Sequence, residues 1–482
     1  MSVSVRASSR LNPGPGALIA AAGGASLFAT YWDDAWHTDF GRDSALIPPH
    51  VVLYGAVAVA GLVVLTWGSF SLVRLRSAIG VLRRPPLLLA ALGGGFTLAA
   101  APADAAWHAA YGRDAVLWSP PHMLVVFAST TMAIGVLAGV RPTRTGRVEA
   151  ALSALVLGSL TMSVMEYETN VPQFSEVLFL PVLLAAAMLA ATIVRRLVPH
   201  RHAILGMVVT YALARLVITG ALTLMGRSAP DVPLAIVGLA AMELPWRTSR
   251  ERYAAGAAGV AAAAWASAAL GIVSPSPKSV GFVAFPVLLV WVLQLAAHRL
   301  TSRTRGTAAA TLIGVLVLVS PAPQARAHDP GQGEPFAPVR LSAATDGTGM
   351  TRLTAVPARR CAEMSPVKVM ARRAGRQIAG RLIAAGDCRF QGTLRLPPDG
   401  LWFVYGEFST TGGRSIETWL PVHSDRSATV TESRELYHPA GGHGITTGEV
   451  FTSVILYGLG LSLLGTALAL TRRPSAASDA GE

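Results

Sequence analysis

Apolar residues run along this chain in long, nearly uninterrupted blocks, with neither the two-residue alternation of a half-exposed strand nor the polar-faced stripe of a surface helix. Blocks such as Val51 to Trp67 and Ala203 to Met225 approach or exceed the roughly 20 mainly apolar residues that a bilayer crossing needs. Twelve spans are predicted, starting near Gly16, Pro49, Pro86, Pro121, Ala150, Glu176, Ala203, Pro233, Tyr253, Val280, Gly306 and Thr447. The eighth, Pro233 to Trp246, is the shortest.

The polar stretches between these blocks alternate in sign. Arg74 to Arg84, Arg141 to Arg147, Arg195 to Arg201, Arg247 to Arg252, Arg299 to Arg305, and Arg472 with Arg473 are basic. The intervening loops hold Asp33, Asp34, Asp39, Asp43, Asp104, Asp114, Glu166, Glu168 and Asp231. Cytoplasmic loops collect arginine and lysine, so both termini are expected in the cytoplasm of a bacterial-type plasma membrane. Residues 328–445 read differently. Short strand-like runs (Val339 to Leu341, Val367 to Ala371, Leu401 to Phe408, Ile416 to Val422) alternate with Gly, Pro and Asp, predicting a small extracytoplasmic β-sandwich. The fold class expected is an all-α polytopic membrane protein with that one β-domain. It divides into a duplicated hairpin region (1–148), further spans (149–327), the β-domain (328–445), and a last span with a cytoplasmic tail (446–482).

Composition agrees, with 52% hydrophobic and 14% charged residues against roughly 25% charged in soluble domains. A soluble enzyme is excluded. The net charge of +13 comes from 40 basic residues, of which only Lys278 and Lys368 are lysine. They sit in short clusters between spans, which marks topology and not a nucleic-acid partner. Two cysteines, Cys361 and Cys388, exclude a cysteine-cluster metal site. In an oxidising compartment they can pair; the other reading is two buried thiols.

A repeat carries the candidate chemistry. Asp-Asp-Ala-Trp-His-Thr-Asp-Phe-Gly-Arg-Asp at 33–43 answers Asp-Ala-Ala-Trp-His-Ala-Ala-Tyr-Gly-Arg-Asp at 104–114. Pro48-Pro49-His50 then answers Pro120-Pro121-His122, with one extra residue in the second copy. Two helical hairpins are duplicated, as in membrane proteins whose halves pack about a pseudo-symmetry axis. Asp33 and His37, like Asp104 and His108, stand at i and i+4 on one helix face. Pro in the first helical turn starts the next span with His50 or His122 beside it. One carboxylate and two imidazoles per hairpin form a three-ligand set for a divalent transition metal with open positions. Arg42 with Asp43 and Arg113 with Asp114 flank the two sets. The alternative is an interfacial belt in which Trp36, Trp107, Phe40 and Tyr111 sit at headgroup level, and for these aromatics that reading is preferred.

These residues resemble the C subunit of the particulate methane and ammonia monooxygenases, a family with an Asp-x3-His-x12-His copper site. Its first His follows a Trp, and an Arg-Asp pair lies between its histidines. Asp33, Trp36, His37, Arg42, Asp43 and His50 fit at every spacing, and Asp104, Trp107, His108, Arg113, Asp114 and His122 fit with an x13 second gap. The resemblance spans about 90 of 482 residues. It implies copper, in preference to iron or zinc, and a monooxygenase-like unit or a subunit of one. Copper storage, delivery or uptake without oxidase activity is the alternative function. The partners implied are membrane lipid, further membrane subunits or a second copy of the chain, and a copper-carrier protein.

A further candidate is His328. A basic stretch from Arg299, an apolar run to Val319 and the Ala-Arg-Ala before His328 read like a secretory signal. Cleavage there leaves an N-terminal His able to chelate copper, similar to the mature start of the monooxygenase B subunit and of small periplasmic copper carriers. An uncut eleventh span is the other reading. Arg215 lies mid-span and needs a partner, with Glu243, Glu166 and Glu168 as candidates. Met350, Met364 and Met370 are scattered and read as core.

Overall fold

The computed structural model describes residues 10–40, 46–111, 117–169, 175–300, 332–373, 376–398, 400–439 and 446–471. Its helices are α1 (Pro13–Phe40), α2 (Pro48–Leu75), α3 (Pro85–Tyr111), α4 (Pro120–Gly139), α5 (Arg147–Thr161), α6 (Phe179–Leu197), α7 (Ala203–Leu224), α8 (Ser249–Ala269), α9 (Pro277–Leu300) and α10 (Thr447–Leu470), the last following a run of eight strands. Among the described residues, eight helices are long and apolar enough to cross a membrane: α2, α3, α4, α5 with its continuation to Glu168, α6 from Glu176, α7, α9 and α10. Helices α1 and α8 fall outside that set, α1 because glycine and proline dilute its apolar first half and the aspartates follow in its last turns, and α8 because it is mostly alanine.

The predicted eighth span is a ten-residue 3-10 helix, Leu234–Glu243. At about 2 Å per residue it reaches roughly 20 Å, short of the roughly 30 Å hydrocarbon core. Its backbone lies directly on α8: a Cβ on Gly238 would stand 2.1 Å from the Gly259 carbonyl carbon, so nothing larger than glycine fits the crossing. The predicted span near Gly306 lies outside the described residues.

Hairpin geometry follows from local chemistry. Ile47 and Ser119 are extended, and the proline pairs after them occupy the first positions of α2 and α4. The missing N–H of proline costs nothing there, because the first turn has no intrahelical acceptor for it. Helices α3 and α4 approach through glycine: a Cβ on Gly135 would lie 2.4 Å from the Ala90 nitrogen, and one on Gly93 2.4 Å from the Met132 nitrogen. Helix α10 begins with a capping box, Thr446 accepting from the Glu449 N–H, and lies against α4, where the Tyr457 hydroxyl donates to the Trp118 carbonyl.

The C-terminal part is a closed antiparallel barrel, where two facing sheets were expected. Its strands are β1 (Gln332–Asp346), β2 (Met350–Pro357), β3 (Met364–Arg373), β4 (Arg376–Ala384), β5 (Phe390–Arg395), β6 (Leu401–Thr410), β7 (Ser415–His423) and β8 (Ser427–Pro439), in ring order β1-β2-β5-β4-β3-β6-β7-β8. The long β1 pairs with β2 on one edge and β8 on the other. β8 then meets β7 at Glu417–Tyr437. Inward alternation looks alike in a sandwich and a barrel; pairing at the edges decides between them, and residue pattern does not encode it. Leu341, Leu353, Trp402, Phe408 and Leu420 fill the interior. Cys361 and Cys388 are joined by a disulfide, with Cα atoms 5.7 Å apart. It ties the turn after β2 to the β4–β5 turn.

Candidate metal centre

Asp33 and His37 lie one turn apart near the end of α1, and His50 is the third residue of α2. The short connection folds α2 back so that His50 Nε2 stands 3.1 Å from Asp33 Oδ1, with His37 Nε2 at 3.8 Å from the same oxygen. All three side chains are partly exposed, at 18 to 24%. Asp33 Oδ1 is buried, yet no donor among the described residues is aligned to hydrogen-bond it. In the second copy, His122 Nε2 stands 3.3 Å from Asp104 Oδ1. His108 occupies the corresponding turn of α3; its side chain lies outside the described residues, as do Arg42, Asp43, Arg113, Asp114 and His328.

These separations can be tested against an ion. Two donors each about 2.1 Å from a metal stand roughly 3.0 Å apart at right angles and about 3.4 Å apart in a tetrahedron. The Asp33–His50 and Asp104–His122 distances fit that interval, and Asp33–His37 is wider by a few tenths of an ångström. Among the described residues no group of three or more His, Cys, Asp or Glu side chains is arranged to hold an ion outright. Among the described residues, one acid and one imidazole of each hairpin stand at ligand-like separations, and a closed three-donor shell is not formed.

The two copies differ in what surrounds them, and sequence reading missed this. Tyr31, two residues before Asp33, donates to Glu168 Oε2 at 2.9 Å. Arg215 Nη1 donates to the same oxygen at 2.7 Å and to the Tyr211 hydroxyl at 3.1 Å, while its Nη2 donates to the Asp231 carbonyl at 2.8 Å. Its guanidinium lies 4.1 Å from the Tyr31 ring centre. Asp39 accepts from the Ser228 N–H at 3.1 Å and the Ser228 hydroxyl at 2.6 Å. Arg434 of the barrel donates to the Asp39 carbonyl at 2.6 Å. At the places corresponding to Tyr31, Asp34 and Asp39 the second copy has Pro102, Ala105 and Ala110, all exposed. The signal was present in the repeat: positions where the copies differ, Tyr31 against Pro102 and Asp39 against Ala110, mark where the first hairpin is fastened to other parts of the protein.

Of the three carboxylates considered for Arg215, Glu168 is the partner. Glu166 accepts the Leu117 N–H at 2.7 Å, and Glu243 accepts the Ile204 N–H at 2.9 Å at the start of α7. In the barrel, His423 lies 3.6 Å from Asp425, and His438 Nδ1 is 2.8 Å from the Ser415 carbonyl, so each is engaged locally. Burial holds the His423 imidazole below its ordinary value. Met364 and Met370 are buried, while Met350 is exposed. No protein-family model matches the chain, and neither does a curated protein or a solved structure.

Proposed function

We propose that this is an integral membrane copper-binding protein, holding copper through Asp33, His37 and His50 and through Asp104, His108 and His122. The observation that carries the reading is the approach of a carboxylate oxygen and an imidazole nitrogen, at 3.1 and 3.3 Å, in two hairpins that repeat the same residues. Twelve crossings, the eighth made by the 3-10 stretch with the chain on either side of it, put both termini in the cytoplasm, residues 328–445 outside, and both sites at the outer face. Asp33 and Asp104 supply charge to the ion, and the neutral imidazoles bind through Nε2. The open positions that three ligands leave are where copper supplies oxygen chemistry in a monooxygenase-like unit. A second reading, copper storage or delivery, is favoured by the exposure of the donors, 18 to 30%, since an ion that is handed on must be reached.

Copper content of the purified protein tests the proposal. His50→Ala should remove the metal of one hairpin and leave the other, and His37→Ala with His108→Ala should abolish binding in a chain that still inserts, because a spanning helix makes its backbone hydrogen bonds within itself. Unchanged stoichiometry in the double variant overturns it. Oxygen consumption by copper-loaded membranes separates the two readings.

A further inference from the structure

The barrel carries a charged face that the copper sites do not use. In ring order β2, β5 and β4 are neighbours. Arg352 pairs with Thr393 across β2–β5, and Arg381 pairs with Lys368 across β4–β3. Arg381 itself adjoins Leu382, which pairs with Gly392 of β5. Arg352, Thr393, Arg381 and Lys368 therefore form one row across four strands, and Arg395 lies two residues beyond Thr393 on the same face. Lys368 is neutralised by Glu407 at 3.3 Å. Arg352, Arg381 and Arg395 are exposed, and no ion pair reaches them among the described residues. Strands β2, β4 and β5 contain no Asp or Glu at all.

Such a row does not stabilise the barrel. Like charges on neighbouring strands repel, and the core is already filled from the inward face by Leu353, Leu382, Phe390 and Leu394. The same outward face exposes Met350 and Ile383, at 45 and 49%. Arginine and methionine beside exposed aliphatic surface is the mixture enriched where proteins meet.

The ring also sets which way this face looks. β5 lies four strands from β7 in either direction. β7 is the strand that approaches α1, and Arg434 of the adjoining β8 bonds Asp39 at its end. The face centred on β5 is therefore turned away from the helices and from the bilayer they would occupy. We propose that it docks an acidic soluble protein arriving from the aqueous side. The acidic groups of that partner would pair with Arg352, Arg381 and Arg395, and its apolar surface would cover Met350 and Ile383.

The test uses the full chain in discs of zwitterionic lipid, with a fluorescent Asp/Glu-rich peptide of about 20 residues as the acidic probe, read by anisotropy. Changing Arg352, Arg381 and Arg395 together to Gln should weaken binding about tenfold, equivalent to about 1.4 kcal/mol, and flatten its salt dependence. The corresponding triple change to Lys should retain most of the binding. A control with Arg340, Arg359 and Arg414 changed to Gln should bind as the parent does. Equal loss in both Gln triples would mean that only net charge matters and overturns the proposal. So would preferential binding of phosphatidylglycerol vesicles that depends on the same three arginines, which would assign the face to lipid. A thermal melt like the parent's establishes that the triple variants are folded.

Discussion

Replacing Glu168 by Gln is the sharpest perturbation of the polar cluster beneath the first hairpin. The shape is kept and the charge is lost. Arg215 is fully buried, and its only carboxylate within ion-pair distance among the described residues is Glu168, at 2.7 Å. The variant leaves a guanidinium among Tyr211, the Asp231 carbonyl and the Tyr31 ring with no counter-charge. Removing one member of a buried pair costs about 3 to 5 kcal/mol, far more than an exposed pair is worth. Arg215→Met should cost a similar amount, because among the described residues Glu168 would then keep only the Tyr31 hydroxyl. The double variant removes both charges and should cost about 2 to 3 kcal/mol less than the two single changes added together. What remains is the loss of the arginine as a donor to the Tyr211 hydroxyl and to the Asp231 carbonyl. Unfolding in mixed micelles, followed by tryptophan fluorescence, measures the cycle. If Glu168→Gln costs under about 0.5 kcal/mol, or the two changes simply add, the pair does not act as a brace.

Two further outcomes follow from the same reasoning. Reducing Cys361–Cys388, separated by 27 residues, should destabilise the barrel by about 3 to 4 kcal/mol in the chain-entropy account, and a thermal melt with and without reductant reads this; an unchanged melt refutes it. Burial pushes the Asp231 carboxyl up to about 6 against the Ser274 hydrogen bond that lowers it, so between about pH 4 and 6 the folded state holds a proton that the unfolded chain has released. Stability from this group is therefore present at low pH and lost as pH rises through that window, at a slope approaching about 1.4 kcal/mol for each pH unit; Asp231→Asn should remove that slope from a pH series of melts, and an identical slope in the variant counts against it.

Much of the architecture was legible because it rests on local chemistry. Proline pairs after an extended residue start α2 and α4 wherever they fall, and eight apolar blocks are membrane-length helices because length and composition alone set that property. The 3-10 stretch at Leu234–Glu243 was not legible. Its form depends on Gly238 meeting the backbone of Gly259, a contact across separate elements. Barrel closure was hidden for the same reason, since β1 and β8 pair across the whole domain. The disulfide lay between two readings in sequence, because spacing says nothing about whether two turns meet. For the candidate site, helical spacing brought Asp33 beside His37, and the proline start brought His50 to Asp33. Which carboxylate would take Arg215 could not be read, because Glu166, Glu168 and Glu243 differ only in where the fold puts them.

The repeat explains why the two hairpins need not behave alike. The two hairpins carry the same acid and histidines, but each meets different neighbours. The first is held from three sides, by Glu168 through Tyr31, by Ser228 through Asp39, and by the barrel through Arg434. The second has alanine where Asp34 and Asp39 stand, and its helices instead close on each other through Gly93 and Gly135. The counterparts of those glycines in the first copy are Ala22 and Val63, which keep α1 and α2 from packing as closely at that level. The first hairpin is thus tied at its acidic end to Glu168, Ser228 and the barrel, whereas the second closes on itself and is held at its proline turn by Glu166 through Leu117 and by α10 through Tyr457. Loss of the Arg215–Glu168 brace should therefore disturb the Asp33–His50 pair while leaving Asp104–His122 in place. If both hairpins hold copper as proposed, a spectroscopic change confined to one of the two ions carries that signature, whereas equal change at both means that the brace supports the bundle as a whole.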